Sequence, residues 1–124
     1  MTSFDPLVII GIALAGGLGA VARLVVGGTL QQWSGWKFPI GTAAINVGGS
    51  FALGLVMSAA TASFAPAWVA IIGTGLLGGF TTFSTASVDT ADLVRGRLWG
   101  RAVANAGVVG ILSISAAALG YSLF

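Results

Sequence analysis

Residues Gly75–Asp89 read GLLGGFTTFSTASVD, and this stretch decides how the rest of the chain is interpreted. Apolar sequence flanks it on both sides, yet it contains paired glycines followed by a cluster of hydroxyl side chains. Lipid cannot hydrogen-bond a free backbone group, so irregular backbone at membrane depth persists only where protein or a water-filled cavity covers it. The stretch therefore predicts a membrane helix that breaks near its middle and restarts. Breaks of this kind expose carbonyl and amide groups to ions.

The composition of the whole chain is that of an all-α integral membrane protein. Of its 124 residues, 56% are hydrophobic and only 6% are charged, whereas soluble proteins carry about 25% charged residues. At about 20 residues per span, the length allows four transmembrane helices in a single domain over residues 1–124. The N-terminus has no basic region of the kind that begins a signal peptide, so the first helix is predicted to be permanent. The predicted spans are residues 6–30, 39–60, 66–93 and 102–123.

The residues that are missing exclude several classes of function. The sequence has no cysteine and no histidine, which removes disulfide frameworks, thiolate metal sites and histidine-based catalysis. No base is available to activate the serines and threonines as nucleophiles, and no lysine follows the glycines as it does in a phosphate-binding loop. We therefore predict that the chain is not an enzyme. Its few basic residues suit membrane loops, so we predict no nucleic-acid partner.

Two polar residues within the apolar spans need an explanation. Asn46 lies near the middle of the second span, with Thr42 and Ser50 one turn to either side on the same face. A buried amide without a partner is unfavourable, so Asn46 bonds either another helix or a ligand. Arg23 lies a turn or two before the expected end of the first helix. It either extends its side chain to the interface or places a cation at the mouth of an anion path.

The chemistry that remains is ion coordination. Hydroxyl and amide groups donate hydrogen bonds to anions, and carbonyls freed at a helix break coordinate a hard cation such as sodium. Phe80 and Phe83 add a further element, because the edge of an aromatic ring carries the positive part of its quadrupole. A ring edge can favour a small anion without a full charge, which would bind too tightly for conduction. Simple packing is the alternative for both phenylalanines.

Three motifs in this order give the chain a family resemblance. They are GGxGAxxR ending at Arg23, GTxxxNxxGSF from Gly41 to Phe51, and GGFTTFST from Gly78 to Thr85. Each motif alone is weak, but together they cover three of the four predicted helices. On these residues the chain resembles the small bacterial fluoride channels, the Fluc or CrcB-like family.

The resemblance implies a dimer of four-helix subunits inserted antiparallel in the bacterial plasma (inner) membrane. Such a channel exports fluoride from the cytoplasm down its electrochemical gradient. A structural sodium ion at its centre is held by backbone carbonyls, which here belong to Gly78 and Thr81. We expect a bulkier residue at position 78 to harm assembly, because a β-carbon there would strain the break. Arg23 matches the arginine of the family's vestibule. The residues implied to contact fluoride or line its path are Asn46, Phe83, Thr42, Ser84 and Thr85.

The chain also departs from the family pattern. Ala86 stands where a second pore phenylalanine is expected, and Asp89 where a glutamate is common. Asn105 and Val109 align with positions where a tyrosine and a serine often lie. One coordination track is therefore expected to be incomplete, and pairing with a complete homologue would restore one pore.

The charge pattern bears on the same question of the partner. The loops after the first and third helices lie on one side of the membrane and carry the basic residues Lys37, Arg95, Arg97 and Arg101. The positive-inside rule then favours a single orientation, whereas an antiparallel homodimer needs both. A heterodimer with a homologue of opposite topology is the prediction, and a homodimer is the alternative.

Two other functions are alternatives for a chain of this kind. A small multidrug-type exporter is also a four-helix dimer, but it needs a titratable carboxylate deep in its first helix. Here the only acidic residue near that helix is Asp5, which precedes the apolar run. The second alternative is a non-conducting partner subunit of a heteromeric channel. It explains the glycines and Ala86, but not the retained Asn46 and GGFTTFST.

Overall fold

The described part of the chain forms a bundle of four helices, each long and apolar enough to cross a membrane. The prediction of a multi-pass, all-α membrane protein is therefore confirmed. The computed structural model describes residues 5–35, 38–60 and 65–123. The helices are α1 (Pro6–Ser34), α2 (Ile40–Ala60), α3 (Pro66–Arg95) and α4 (Trp99–Ser122).

Two helices extend three or more residues beyond one of their predicted ends. Helix α1 continues to Ser34 instead of ending near residue 30, and it stops at Gly35, whose φ of 60° is the left-handed conformation that glycine adopts most easily. Arg23 is therefore eleven residues from the helix end, about 16 Å along the axis at 1.5 Å per residue. Helix α4 begins at Trp99, so Trp99 and Arg101 are helical instead of lying in the preceding loop. The predicted loop residues Trp36 and Lys37, and most of the turn at 61–65, lie outside the described residues.

Close backbone contacts hold the helices together, joining α1 to the first half of α3, α2 to α4, and α1 to α2 at Gly27 and Gly41. A Cβ atom at Gly79 would collide with the backbone of Gly16 on α1. Likewise, a Cβ at Gly120 would collide with the carbonyl of Phe51 on α2. Small residues allow membrane helices to approach at this distance, where dispersion contacts replace the hydrophobic effect. Gly16 and Gly79 thus serve packing.

Helix α3 is interrupted at two residues. Thr81 (φ −82°, ψ 156°) and Thr82 (φ −149°, ψ 121°) are extended, while Phe83–Arg95 is again α-helical. Before the break, Ala70–Leu77 has the wide turns of a π-helix, with i→i+5 hydrogen bonds. The predicted interruption is present, but it falls at the two threonines. Gly78, which the sequence placed at the break, has ordinary helical dihedrals of −62° and −39°.

Candidate functional site

The interruption in α3 is held against α2 by one side-chain amide. Asn46 Nδ2 donates to the Thr82 carbonyl at 2.8 Å, and the Thr82 N–H donates to Asn46 Oδ1, also at 2.8 Å. The extended Thr82 peptide is thus paired as it would be in a β-ladder. The prediction that Asn46 has a partner is confirmed, and the partner is backbone. An amide nitrogen carries two hydrogens, so Asn46 retains a second N–H for another acceptor.

The Thr82 side chain organises the restart of the helix. Its hydroxyl is buried and accepts a hydrogen bond from the Thr85 N–H at 3.1 Å, which caps the N-terminus of Phe83–Arg95. The hydroxyls of Ser84 and Thr85 each lie 3.2 Å from the same Thr82 oxygen. A threonine at this position satisfies backbone groups that a helix start leaves unpaired.

These hydrogen bonds divert the donors that two backbone carbonyls would have in a continuous helix. In a continuous α-helix, the N–H groups of Thr82 and Thr85 would donate to the carbonyls of Gly78 and Thr81. Here the first N–H donates to Asn46 and the second to the Thr82 hydroxyl. The carbonyls of Gly78 and Thr81 thereby lose their usual helical donors.

Neither the backbone conformation of Gly78 nor its surroundings within the subunit require a glycine. The sequence interpretation held that a β-carbon there would strain the break, yet an added Cβ has nothing nearer than the Gly73 carbonyl oxygen at 3.8 Å. Gly78 is exposed on the chain and lines an open groove between α2 and α3. Within this subunit, a larger residue at position 78 meets no obstacle, so that part of the prediction is wrong.

The two phenylalanines of the motif differ in their surroundings. Phe80 is partly buried, and a Cβ built at Gly49 would lie only 3.2 Å from its ring, so it packs against α2. The Phe83 side chain, by contrast, is 88% exposed. Packing within the subunit therefore accounts for Phe80 and does not account for Phe83.

A first cavity, of about 580 Å³, contains charged groups, and we call it the charged cavity. Its lining includes Pro39 and Leu98, from the loops after α1 and α3, so it lies at the end of the bundle near the basic loops. Thr42 and Asp89 lie close to each other in this lining. The polar residues that define this cavity are Arg23, Gln31, Thr42, Thr82, Thr85, Asp89 and Asp92.

A second cavity, of about 530 Å³, lies on the other side of the Asn46–Thr82 contact, and we call it the break cavity. It is lined by uncharged residues of α2, α3 and α4. Its defining residues are Asn46, Ser50, Thr81, Thr82, Phe83, Ala86, Ser87, Thr90, Asn105, Val109 and Ser113. Thr82 lines both cavities, so they adjoin at the break.

The predicted site residues divide between these cavities. Arg23, Thr42 and Thr85 line the charged cavity, whereas Asn46 and Phe83 line the break cavity. Of the three polar residues expected on one face of α2, Thr42 lines the charged cavity, whereas Asn46 and Ser50 line the break cavity. Ser84 lines neither cavity, although its hydroxyl lies beside that of Thr82.

A second asparagine joins α4 to the restarted half of α3. Asn105 Nδ2 donates to the Ala86 carbonyl at 3.2 Å and to Thr90 Oγ1 at 2.8 Å. It lies in a π-helical turn, Ala104–Val108, and is buried. Both hydrogens of this amide are therefore committed to α3, in contrast to those of Asn46.

Comparison with known proteins identifies the family. Residues 10–121 match the family described as CrcB-like protein, Camphor Resistance (CrcB). The chain belongs to the CrcB-like family. Among its curated relatives is the fluoride-specific ion channel FluC 1 of Leifsonia xyli subsp. xyli, which is 49% identical over 116 residues, covering 93% of this chain and 85% of the relative.

Two other relatives of the CrcB-like chain have the same kind of name. Fluoride-specific ion channel FluC of Sulfurovum sp. is 38% identical over 97% of this chain and 95% of its own length. Fluoride-specific ion channel FluC 2 of Cutibacterium acnes is 44% identical over 90% and 93%. The relatives are named as ion channels, so the prediction that the chain is not an enzyme is confirmed.

Within this CrcB-like chain, the sequence interpretation missed one central residue. Thr82 was read only as one of a group of hydroxyls, yet its peptide and its side chain organise the break. The signal was available, because Thr82 and Thr85 have the spacing of a helix N-cap and its third residue. The departures from the family pattern were seen, and the structure brings Ala86, Asn105 and Val109 together in the break cavity.

Proposed function

We propose that this chain is a subunit of a fluoride-conducting channel. The observation that carries the proposal is the 49% identity, over 93% of the chain, to a relative named as a fluoride-specific ion channel. The two cavities on either side of the break supply the chemistry. Family membership also counts against a multidrug-type exporter, as does a first helix with Asp5 only at its start.

The proposed path uses the cavities in sequence. Arg23 in the charged cavity attracts a hydrated anion, while Thr42 and Thr85 offer hydroxyls in place of water. Beyond the break, the free N–H of Asn46 and the ring edge of Phe83 contact the partly dehydrated ion without a full charge. This combination allows the anion to enter and still leave. Ser84, at the start of the helix, completes the proposed set of path residues.

We propose that a sodium ion stabilises the break. The carbonyls of Gly78 and Thr81 are the ligands, and the loss of their helical donors supports this assignment. Carbonyl oxygens suit hard cations, and no cluster of acidic side chains that could hold a metal ion is present among the described residues. An ion bound there would supply positive charge at the interruption. Gly78 lies on the exposed side of the break, where the subunit itself requires no side chain for packing.

The proposed assembly is an antiparallel dimer. The outward position of Phe83 and the open groove beside Gly78 are surfaces that a second four-helix subunit would cover. The gathering of Ala86, Asn105 and Val109 in the break cavity favours a heterodimer, in which the partner supplies the complete track. The basic residues Arg95, Arg97 and Arg101 at one end of the bundle favour a single insertion direction, which points to the same conclusion.

The proposed direction is efflux across a bacterial plasma membrane. A membrane potential negative on the inside drives an anion outward, by about 2.3 kcal/mol per elementary charge for 100 mV. No further energy source is required for this movement. The driving force is therefore the electrochemical gradient itself.

Flux from reconstituted liposomes tests the proposal. Liposomes that contain the chain, alone and together with a homologue of opposite charge bias if the host has one, are loaded with fluoride or chloride, and release is followed by ion-selective electrodes. We expect rapid fluoride release and little chloride release, with sodium present. Equal release of both halides, or no release in either arrangement, would overturn the proposal and favour a non-conducting subunit.

A further inference from the structure

Asn46 contacts the extended peptide of Thr82 through both ends of its amide, at 2.8 Å each. These two bonds join the N–H and the C=O of one residue, which belong to the peptide groups on either side of it, so they fix the orientation of both groups as well as their distance from Asn46. The Thr82 side chain is buried beneath the same contact. The amide therefore determines the conformation of the one segment at which α3 ceases to be helical.

A second residue of α2 also contacts the break. Gly49, three residues after Asn46, lies directly against the break, because a Cβ atom there would collide with Thr81 Cγ2 and would lie 3.2 Å from the Phe80 ring. The absent side chain at position 49 lets residues 80–82 approach α2 closely enough for Asn46 to reach Thr82. The two α2 residues act together on one site in α3.

The alternative conformation of this segment is a continuous helix. In that conformation the Thr82 N–H donates to the Gly78 carbonyl, and no peptide group at the break remains unpaired. An unpaired peptide in an apolar medium is unfavourable by several kcal/mol. Without a competing partner for Thr82, the helical arrangement is the one in which its N–H is satisfied.

We propose that Asn46 is a positioning residue, whose amide clasps the Thr82 peptide, holds it extended and thereby keeps the Gly78 carbonyl free of its helical donor. This role is additional to any contact between Asn46 and an ion, for which its second N–H remains. It concerns the site to which the proposed function assigns the ions, so its consequence for conduction rests on that proposal. The conformational claim itself does not.

Threonine labelling gives a signal that reports this segment alone. Thr81–Thr82 is the only peptide bond between two threonines in the sequence. In protein made with uniformly ¹³C,¹⁵N-labelled threonine and otherwise unlabelled, magnetisation transfer from a carbonyl to the next nitrogen therefore selects Thr82. Its Cα and Cβ chemical shifts distinguish extended from helical backbone. The spectra are recorded on the full chain in lipid bilayers without fluoride.

The informative variant is Asn46→Leu, which keeps the size of the side chain and removes both bonds. We expect the Thr82 shifts to move from the extended range in the native chain to the helical range in this variant. Asn105→Leu is the matched control, because it removes another side-chain amide with two bonds to α3, further along at Ala86 and Thr90. In the control, the Thr82 shifts stay extended.

Thr82 shifts that remain extended in Asn46→Leu overturn the inference, and so do shifts that move equally in Asn105→Leu. If Asn46→Leu does not fold, Asn46→Ser removes the same two bonds and is judged by the same criterion. Loss of fluoride flux in Asn46→Leu with Thr82 still extended means that Asn46 acts only as an ion contact. Absence of flux from the native chain would remove the proposed function but leave the Thr82 result unaffected.

Discussion

The charged cavity and the break cavity adjoin the same residue, Thr82, yet they are built from different chemistry. The first holds a guanidinium, from Arg23, and carboxylates, from Asp89 and Asp92, at the end of the bundle near the basic loops. The second holds amides, hydroxyls and one outward ring. Formal charge is thus confined to the cavity at the bundle end, where water and salt screen it. The difference teaches that attraction and dehydration of an ion can be assigned to separate places.

The two asparagines of the break cavity also differ from each other in their hydrogen bonds. Asn105 gives both of its amide hydrogens to α3, whereas Asn46 gives one hydrogen and one oxygen to the Thr82 peptide and keeps a hydrogen free. Of these two asparagines, only Asn46 therefore has an amide N–H left to donate to a ligand. Substitutions in the two cavities should consequently differ in size and in salt dependence.

The largest effect is expected for Asn46→Asp in the break cavity. A negative charge about 4 Å from a fluoride ion, at an effective dielectric constant of about 20, is unfavourable by about 4 kcal/mol, which corresponds to roughly a thousandfold loss of flux. Liposome efflux measures it. Asn46→Leu, neutral and of similar size, is the control that separates the charge from the lost clasp. Equal flux in the two variants would show that the carboxylate does not face the ion.

Phe83→Ile should reduce fluoride flux by about two- to tenfold, because it keeps an apolar side chain but removes the positive ring edge, whose contacts are worth about 0.5–1.5 kcal/mol. Phe83→Tyr retains the ring and should keep most of the flux. Efflux from both variants is compared at equal protein-to-lipid ratio. A native rate in Phe83→Ile would assign this exposed side chain to packing against lipid or a partner.

Arg23→Gln tests the charged cavity and should lower the flux about fivefold, the equivalent of about 1 kcal/mol for two charges near water. The loss should largely disappear at about 1 M salt, where the screening length is about 3 Å. Arg101→Gln removes an exposed charge at the same end that does not line the cavity. A loss for Arg23→Gln that is independent of salt would contradict electrostatic attraction at this position.

The smallest effect, and one of opposite sign, is expected for Asp89→Asn. Removing this carboxylate should raise anion entry about two- to fivefold, with about 1 kcal/mol as the upper limit for an exposed pair. Initial efflux rates at low and high salt measure the change. A decrease in flux would mean that the carboxylate orients Thr42 for the path and does not repel the ion.

Much of the architecture could be predicted because membrane insertion depends on local composition. Four apolar segments of sufficient length specify four helices, and all four are present. The interruption in α3 was also predictable, since glycines and hydroxyls have no use on a lipid-facing helix. The helix ends were less accurate. Ser34 and Trp99 extend their helices beyond the apolar runs because polar residues near a membrane interface can remain helical.

The position of the break was decided by tertiary structure. Glycine permits unusual dihedrals, which made Gly78 the natural candidate, yet Gly78 is regular and the extended residues are Thr81 and Thr82. The reason is that Asn46 and Gly49 on another helix offer a partner and a space only at those two threonines. A local sequence pattern cannot specify where a helix 36 residues away places an amide.

The residue types of the candidate site were thus determined by the sequence, while their grouping was determined by the fold. Arg23, Asn46 and Phe83 could each be selected as a polar or aromatic exception in an apolar span. Their distribution over two cavities that meet at Thr82 could not, because it depends on how the helices pack around the break. Hydrophobic periodicity records which residues avoid water. Only the packed helices determine which polar groups face one another, since each such pairing joins segments that are distant in the chain.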